Sequence, residues 1–190
     1  MSVPLSQEPS LERLRALLLG EGGLMASLVD VSRADAFQAS RVDLPAGPAG
    51  DSPAQVIASG PRADGRRVEY ELLVEAIYEG YLLHYHAPRI VRASDEDLGL
   101  LAGDRLYALG LARLVELGDI DGVAELADVI TLSALAHGAS QPELAEAIWM
   151  AGARAVGWGT DPRHESAKAL VRAGSPEALE ALRGFAEVGP

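Results

Sequence analysis

Residues 98–119 read LGLLAGDRLYALGLARLVELGD, and this stretch indicates the fold class more clearly than any other part of the chain. Leucine, alanine and glycine fill most of its positions, and Asp104 and Arg105 are the only charged residues between positions 98 and 112. A helix that is apolar on nearly all sides is usually surrounded by other elements. The stretch therefore predicts a central helix, at about residues 94–117, in an all-α protein.

Helix start and stop signals extend this prediction towards the C-terminus. Capping residues or first-turn prolines begin several segments, at Ser94-Asp95-Glu96-Asp97, Ser140-Gln141-Pro142-Glu143, Asp161-Pro162 and Ser175-Pro176. Such residues satisfy the free N–H groups of a first helical turn, and glycines stand where the helices should end. The predicted helices are 68–87, 94–117, 121–137, 141–157, 162–173 and 176–187.

The first 67 residues carry weaker signals. Residues 10–19 favour a short helix and residues 25–39 a second one. Residues 42–67 are rich in proline, glycine, alanine and aspartate, which is typical of a linker or of a loop that lies across the other helices. We therefore expect N-terminal helices in residues 1–41, a linker or loop in 42–67, and a helical bundle core in 68–190, with about six to eight helices in all.

Composition excludes several classes of function. The chain has no cysteine, which excludes disulfides, thiolate metal sites and a cysteine nucleophile. A net charge of −12 disfavours nucleic acid as a partner, because the phosphate backbone would repel the chain. No apolar run has the length and purity of a transmembrane span, and the N-terminus lacks the layout of a signal peptide. We expect a cytoplasmic protein with no membrane insertion.

One face of the 68–87 helix is rich in tyrosine. Tyr70, Tyr78, Tyr81 and Tyr85 follow one another at helical spacing and make up four of the five tyrosines in the chain. A buried phenol hydroxyl needs a hydrogen-bond partner. Two interpretations stay open, namely a packed edge of the core with hydrated hydroxyl groups and the lining of a ligand cavity or subunit interface. For the second, the candidate ligand-binding residues are Tyr78, Tyr81 and Tyr85, joined by His84 and Asp104.

Acidic residues raise a separate question. Glu71, Glu75 and Glu79 share a second face of the same helix, for which a solvated surface is the simplest interpretation and contact with arginines the alternative. Asp104 lies in the apolar helix, so we expect it to be partly buried and paired, with Arg105, Arg113 or a tyrosine hydroxyl as partner.

Known catalytic and metal-binding motifs are absent from the sequence. There is no HExxH, P-loop or GxSxG pattern. His84 and His86 are two positions apart, so on a helix their side chains point in nearly opposite directions and do not chelate one ion together. We predict no metal site, no cofactor and no catalytic residue.

The block Leu101-Ala102-Gly103-Asp104-Arg105-Leu106-Tyr107-Ala108 resembles the LAGDxLxA motif of the head-to-tail isoprenoid (polyprenyl) diphosphate synthases. In that family the preceding helix ends in LxHDDxxD, whereas residues 82–89 here read LLHYHAPR. The similarity covers residues 68–138, and no second DDxxD follows. The resemblance thus implies a shortened isoprenoid-synthase fold without the aspartates that hold magnesium in the family. It also implies a homodimer built around the 94–117 helix.

Three functions follow as hypotheses. The first is a non-catalytic protein that acts as a homodimeric scaffold or as the regulatory partner of an active prenyl synthase subunit. The second is a binding module for an apolar or lipid-like ligand in a tyrosine-lined cavity. The third is an enzyme whose unrecognised site uses Asp104, His84 and either Glu75 or Glu79.

Overall fold

The computed structural model describes residues 8–29 and 52–187. These residues form nine α-helices and one short 3-10 turn, with no strand among them, which confirms the all-α class. The helices are α1 (Glu8–Glu21), α2 (Gly23–Val29), α3 (Pro53–Ser59), α4 (Arg67–Tyr85), α5 (Glu96–Glu116), α6 (Ile120–Gly138), α7 (Pro142–Trp158), α8 (Pro162–Arg172) and α9 (Ala178–Glu187). The six helices predicted from residue 68 onward are confirmed to within one or two residues at each end.

The N-terminal third differs from the prediction. Helix α2 ends at Val29, and residues 30–51 lie outside the described part, so the rest of the helix expected over 25–39 stays a prediction. Helix α3 and the 3-10 turn Pro61–Ala63 occupy the segment expected to be a linker or loop. The reason is that Ala54, Ile57 and Ala58 recur at helical spacing and are buried, a pattern that the surrounding prolines and glycines obscure.

The described residues group into two compact units. One unit contains those of 1–52 and 71–113, and the other contains those of 53–70 and 114–190. The N-terminal helices therefore belong to the same unit as most of α4 and α5.

The core of the first unit is built from apolar residues of four helices. Leu14 and Leu18 of α1, Leu83 of α4 and Leu106 of α5 are fully buried together, with Met25 of α2 beside them. On its other side α5 is open to solvent, where Leu101 is 63% exposed and Leu100 36%. The prediction that this helix is central is therefore wrong, because its apolar residues exceed what the neighbouring helices cover.

Close packing of α4 against α5 depends on glycine. A β-carbon at Gly80 would lie 2.8 Å from the carbonyl oxygen of Gly103, and one at Gly103 would lie 2.7 Å from the ring of His84. A β-carbon at Gly110 would overlap Ile77. The glycine of the LAGD block is thus a packing residue, since it allows the two helices to approach.

In the second unit the most buried helix is α7. It packs against α3, α6 and α9, and it buries Leu144, Ile148, Ala151 and Ala155. A β-carbon at Gly152 would overlap Val129 of α6. Among the described residues, no helix has the combination of length and hydropathy needed to cross a bilayer.

Candidate functional site

The tyrosine face of α4 is packed against itself. Tyr78 and Tyr81 are 5% and 1% exposed, and their rings stack with centroids 5.6 Å apart. The ring of Tyr85 lies 5.4 Å from that of Tyr81. Burial raises the pKa of Tyr85 above its ordinary value, because the phenolate would be poorly solvated.

The segment after α4 closes over the same rings. His86 is 3% exposed, and its Nε2 shares a hydrogen bond of 3.0 Å with the hydroxyl of Tyr81. The two rings are also in contact, with centroids 5.1 Å apart. The Tyr81 hydroxyl therefore has a protein partner, as a buried phenol requires.

His84 connects this aromatic group to α5. Its ring stacks on Tyr107 at 5.3 Å and lies 5.8 Å from the ring of Tyr85. Its Nε2 is 3.2 Å from Oδ1 of Asp104. Burial raises the pKa of Tyr107, helped by the charges of neighbouring groups that include Asp104. The five residues predicted to bind a ligand, Tyr78, Tyr81, Tyr85, His84 and Asp104, are thus joined by one series of contacts.

Asp104 is not in the environment that its sequence context predicts. Its side chain is 69% exposed, and its partner is His84, not an arginine or a tyrosine. Arg105 instead pairs with Glu21 at 2.8 Å. The expectation of partial burial is wrong because the solvent-facing side of α5 carries Asp104 together with leucine and alanine, so apolar neighbours in the sequence do not indicate burial there.

Two glutamates of α4 are the most deeply buried charges of the first unit. Glu75 and Glu79 have no exposed surface, and both bind Arg89 in the segment after the helix. The guanidinium donates from Nη2 to Glu75 at 2.6 Å and from Nε to Glu79 at 3.2 Å. Burial alone would lower the pKa of Arg89, but the two carboxylates outweigh it and raise that pKa above its ordinary value.

Further hydrogen bonds complete this cluster. Glu79 accepts the backbone N–H groups of Ile90 and Val91, at 2.6 and 3.0 Å. Glu75 accepts the hydroxyls of Ser10 and Ser52, at 3.3 and 3.2 Å. Each carboxylate therefore has three donors, which is what burial of a charge requires.

The solvated face predicted for this glutamate stripe is therefore wrong at Glu75 and Glu79. Glu71 is only 16% exposed and pairs with Arg13 at 2.8 Å, so all three glutamates contact an arginine, which is the alternative interpretation. The sequence alone does not signal this burial, since Glu71 and Glu79 lie one turn before and one turn after Glu75 on the same face. The identity of the partner, an arginine in the following loop, requires the three-dimensional path of the chain.

The second unit holds two polar clusters of its own. Lys168, the only lysine, is 5% exposed and binds Glu125, Asp128 and Glu165 at 2.9 to 3.0 Å. His164 also contacts Glu125, with Nε2 and Oε1 2.5 Å apart. The ammonium group therefore uses all three of its protons on carboxylates.

The other cluster lies at the start of α6. Asp119 caps the helix by accepting the N–H of Gly122, and it also accepts hydrogen bonds from Tyr70 at 2.7 Å and Arg62 at 2.9 Å. Burial and the hydrogen bond to Asp119 raise the pKa of Tyr70 to about 12. Burial would raise the pKa of Asp119, but the three donors lower it overall.

These arrangements limit the available chemistry. Among the described residues no group of three or more histidine, aspartate or glutamate side chains is placed to hold a metal ion. Glu75 and Glu79 of α4 are already bound to the guanidinium of Arg89 and to backbone or hydroxyl donors. Comparison of the chain with family models, with curated proteins and with solved structures found no match. The resemblance to isoprenoid synthases therefore rests on the sequence motifs alone.

Proposed function

We propose that the chain is a non-catalytic, isoprenoid-synthase-like helical protein that acts as a homodimeric scaffold or as the regulatory subunit of an active prenyl synthase. The observation that carries the proposal is the pairing of Arg89 with Glu75 and Glu79. Arg89 stands where the third aspartate of LxHDDxxD would be, and it brings a fixed positive charge to a place where the family needs a metal ligand.

The other two motif positions support the same conclusion. Tyr85 and His86 replace the first two aspartates, and both rings pack against Tyr81. Magnesium is bound through oxygen ligands that are free to coordinate it. The imidazole and the guanidinium offer no oxygen, and the neutral phenol of Tyr85 is a much weaker ligand than a carboxylate, so loss of diphosphate from an allylic substrate would lack its electrophile.

Support for an assembly role comes from the exposed side of α5. Leu100 and Leu101 are exposed there, and so are Ala108 and Ala112 two and three turns further along. These two leucines, at 36% and 63% exposure, offer apolar surface that a second chain would bury. The family resemblance places a dimer contact on this helix.

The ligand-binding alternative has less support. Tyr78, Tyr81 and Tyr85 make stacked or tilted contacts with one another at 5.4 to 5.6 Å. Rings in mutual contact fill the space that an apolar ligand would need. The enzyme alternative is also weakened, because Arg89 holds Glu75 and Glu79 while Asp104 contacts His84.

Purification of the tagged chain from its native host tests the assembly part of the proposal. We expect either a homodimer by light scattering or co-purification of a second chain that carries intact DDxxD motifs. A monomer at all concentrations that recruits no such chain would contradict it. The catalytic part is tested by pyrophosphate release from allylic diphosphates.

A further inference from the structure

Arg154 of α7 differs from every other arginine of the second unit. That unit contains seven arginines, and six of them bind a carboxylate or a backbone carbonyl: Arg62, Arg66, Arg67, Arg163, Arg172 and Arg183. Within the described part of the chain, Arg154 makes no ion pair and no hydrogen bond. Its charge is therefore left without a counter-charge in a chain that has 28 acidic residues against 16 basic ones.

Two aromatic rings hold Arg154 in place. Its Cζ lies 5.5 Å from the ring centroid of Trp158, one turn further along α7, and 5.5 Å from that of Phe185 in α9. Phe185 is itself fixed, since it is 4% exposed and its ring contacts that of His164 at 4.5 Å. A guanidinium within about 6 Å of an aromatic ring is attracted to the electrons of the ring. The rings therefore position the cation without using its N–H donors.

The guanidinium of Arg154 is partly removed from water. Its Nε is buried and has no acceptor among the described residues. Buried residues fill α7 from position 144 to 157, except at Glu146, Met150 and Arg154, which follow one another at a spacing of four. Arg154 thus lies on the line of α7 that reaches solvent, and its two Nη groups are accessible there. A partly desolvated cation attracts an anion more strongly than a fully hydrated one, because the local dielectric constant is lower.

The chemistry of the site favours a carboxylate over other anions. The Nη groups of a guanidinium form a planar fork that matches the two oxygens of a carboxylate or two oxygens of a phosphate. One guanidinium neutralises a carboxylate but not a phosphate dianion, and a chain of charge −12 repels a dianion more than a monoanion. Met150 and Trp158 lie one turn before and one turn after Arg154, so apolar surface adjoins the cation on both sides.

We propose that Arg154, flanked by Trp158 and Phe185, binds the carboxylate of a monoanionic ligand that has an apolar or aromatic body. The carboxylate accepts hydrogen bonds from the Nη groups, and the body packs against Trp158. A free organic acid and the C-terminal end of another polypeptide both supply this chemistry. The site belongs to the second unit, and it does not depend on the resemblance to isoprenoid synthases.

Titration of the wild-type chain with small acids, followed by proton–nitrogen NMR, tests the site. The chain has two tryptophans, and Trp149 is 2% exposed, so the indole N–H signal of Trp158 reports on the site once Trp158→Phe has assigned it. Benzoate should shift this signal and that of the Nε–H of Arg154, with a dissociation constant of roughly 1 to 10 mM. Benzamide, which has nearly the same shape and no charge, should shift neither.

Three variants separate a binding role from a packing role. Arg154→Gln removes the charge and should weaken benzoate binding by roughly tenfold or more. Arg154→Lys keeps the charge but loses the planar fork, so its affinity should lie between those of the wild type and Arg154→Gln. Arg163→Gln is the matched control and should bind as the wild type does, because Arg163 is an exposed arginine that already pairs with Asp161 at 2.7 Å. Circular dichroism checks that all three variants are folded.

Two further probes identify the source of the carboxylate. N-acetylphenylalanine represents the end of a polypeptide, and binding roughly tenfold tighter than that of benzoate would assign the site to a partner chain. Equal or weaker binding would assign it to a free organic acid. The proposal would be overturned if neither acid shifts the signals of wild-type protein, if benzamide binds as well as benzoate, or if Arg154→Gln leaves binding unchanged. Tighter binding of inorganic phosphate than of benzoate would overturn the choice of a carboxylate.

Discussion

Replacement of Arg89 by methionine tests whether the buried glutamates depend on it. Methionine keeps the length of the side chain and removes the charge. Glu75 and Glu79 would then be two buried carboxylates without a cation, since neither has any exposed surface. Removal of one partner from a buried ion pair costs about 3 to 5 kcal/mol, because the remaining charge is left uncompensated.

The expected loss is large compared with the stability of a typical domain. At roughly 2 to 4 °C of melting temperature per kcal/mol for a chain of this size, Arg89→Met should lower the melting temperature by roughly 6 to 20 °C.

Thermal and urea unfolding followed by circular dichroism measure this effect. Arg13→Met is the matched control, since Arg13 pairs with Glu71 of the same helix at a site where the arginine is 40% exposed. That exposed pair should contribute about 0 to 1 kcal/mol. A loss in Arg89→Met no larger than in Arg13→Met would refute the reasoning.

Three further predictions concern packing and charge. Gly110→Ala should destabilise the chain by about 1 to 3 kcal/mol, since the new methyl group overlaps Ile77. Gly20→Ala is the control and should be neutral or stabilising, because a methyl group there meets no other atom. Equal melting temperatures for the two variants would contradict this. Lys168→Met should lower the free energy of unfolding in urea by about 3 to 5 kcal/mol, because it leaves the buried Glu125 without the lysine cation. A loss below about 1 kcal/mol would contradict this prediction. Asp119 has a lowered pKa in the folded chain, so its contribution to stability is complete above the unfolded value of about 3.9 and is lost as the pH falls through the folded pKa. Asp119→Asn should therefore flatten the fall of melting temperature between pH 5 and about 3. An unchanged slope would show that other groups cause the fall.

Helix positions could be predicted from the sequence because their signals are local. Asp161 caps α8 by accepting two backbone N–H groups, as the Asp-Pro pair indicates, and Asp95 accepts the N–H of Leu98 at the start of α5. Helix α3 was missed because the signals of its prolines and glycines outweighed three buried apolar residues.

The buried cluster could not be predicted for a different reason. Glu75 and Glu79 meet Arg89 only because the chain turns back after α4, and a turn of that kind leaves no periodic signal in the sequence. Asp104 shows the converse error, since its apolar neighbours suggested burial while the structure leaves its side chain 69% exposed. In both cases burial depends on which helices lie opposite, and local composition does not determine that.

The most direct test of the proposed function is a pyrophosphate-release assay. Purified chain is mixed with magnesium and allylic diphosphates of several lengths, with and without isopentenyl diphosphate, and an active prenyl synthase serves as the positive control. We expect no release above the rate without protein, because Arg89, Tyr85 and His86 stand where the family has its metal-binding aspartates. Release that depends on magnesium and is abolished by Asp104→Ala would contradict the proposal and identify the chain as an enzyme.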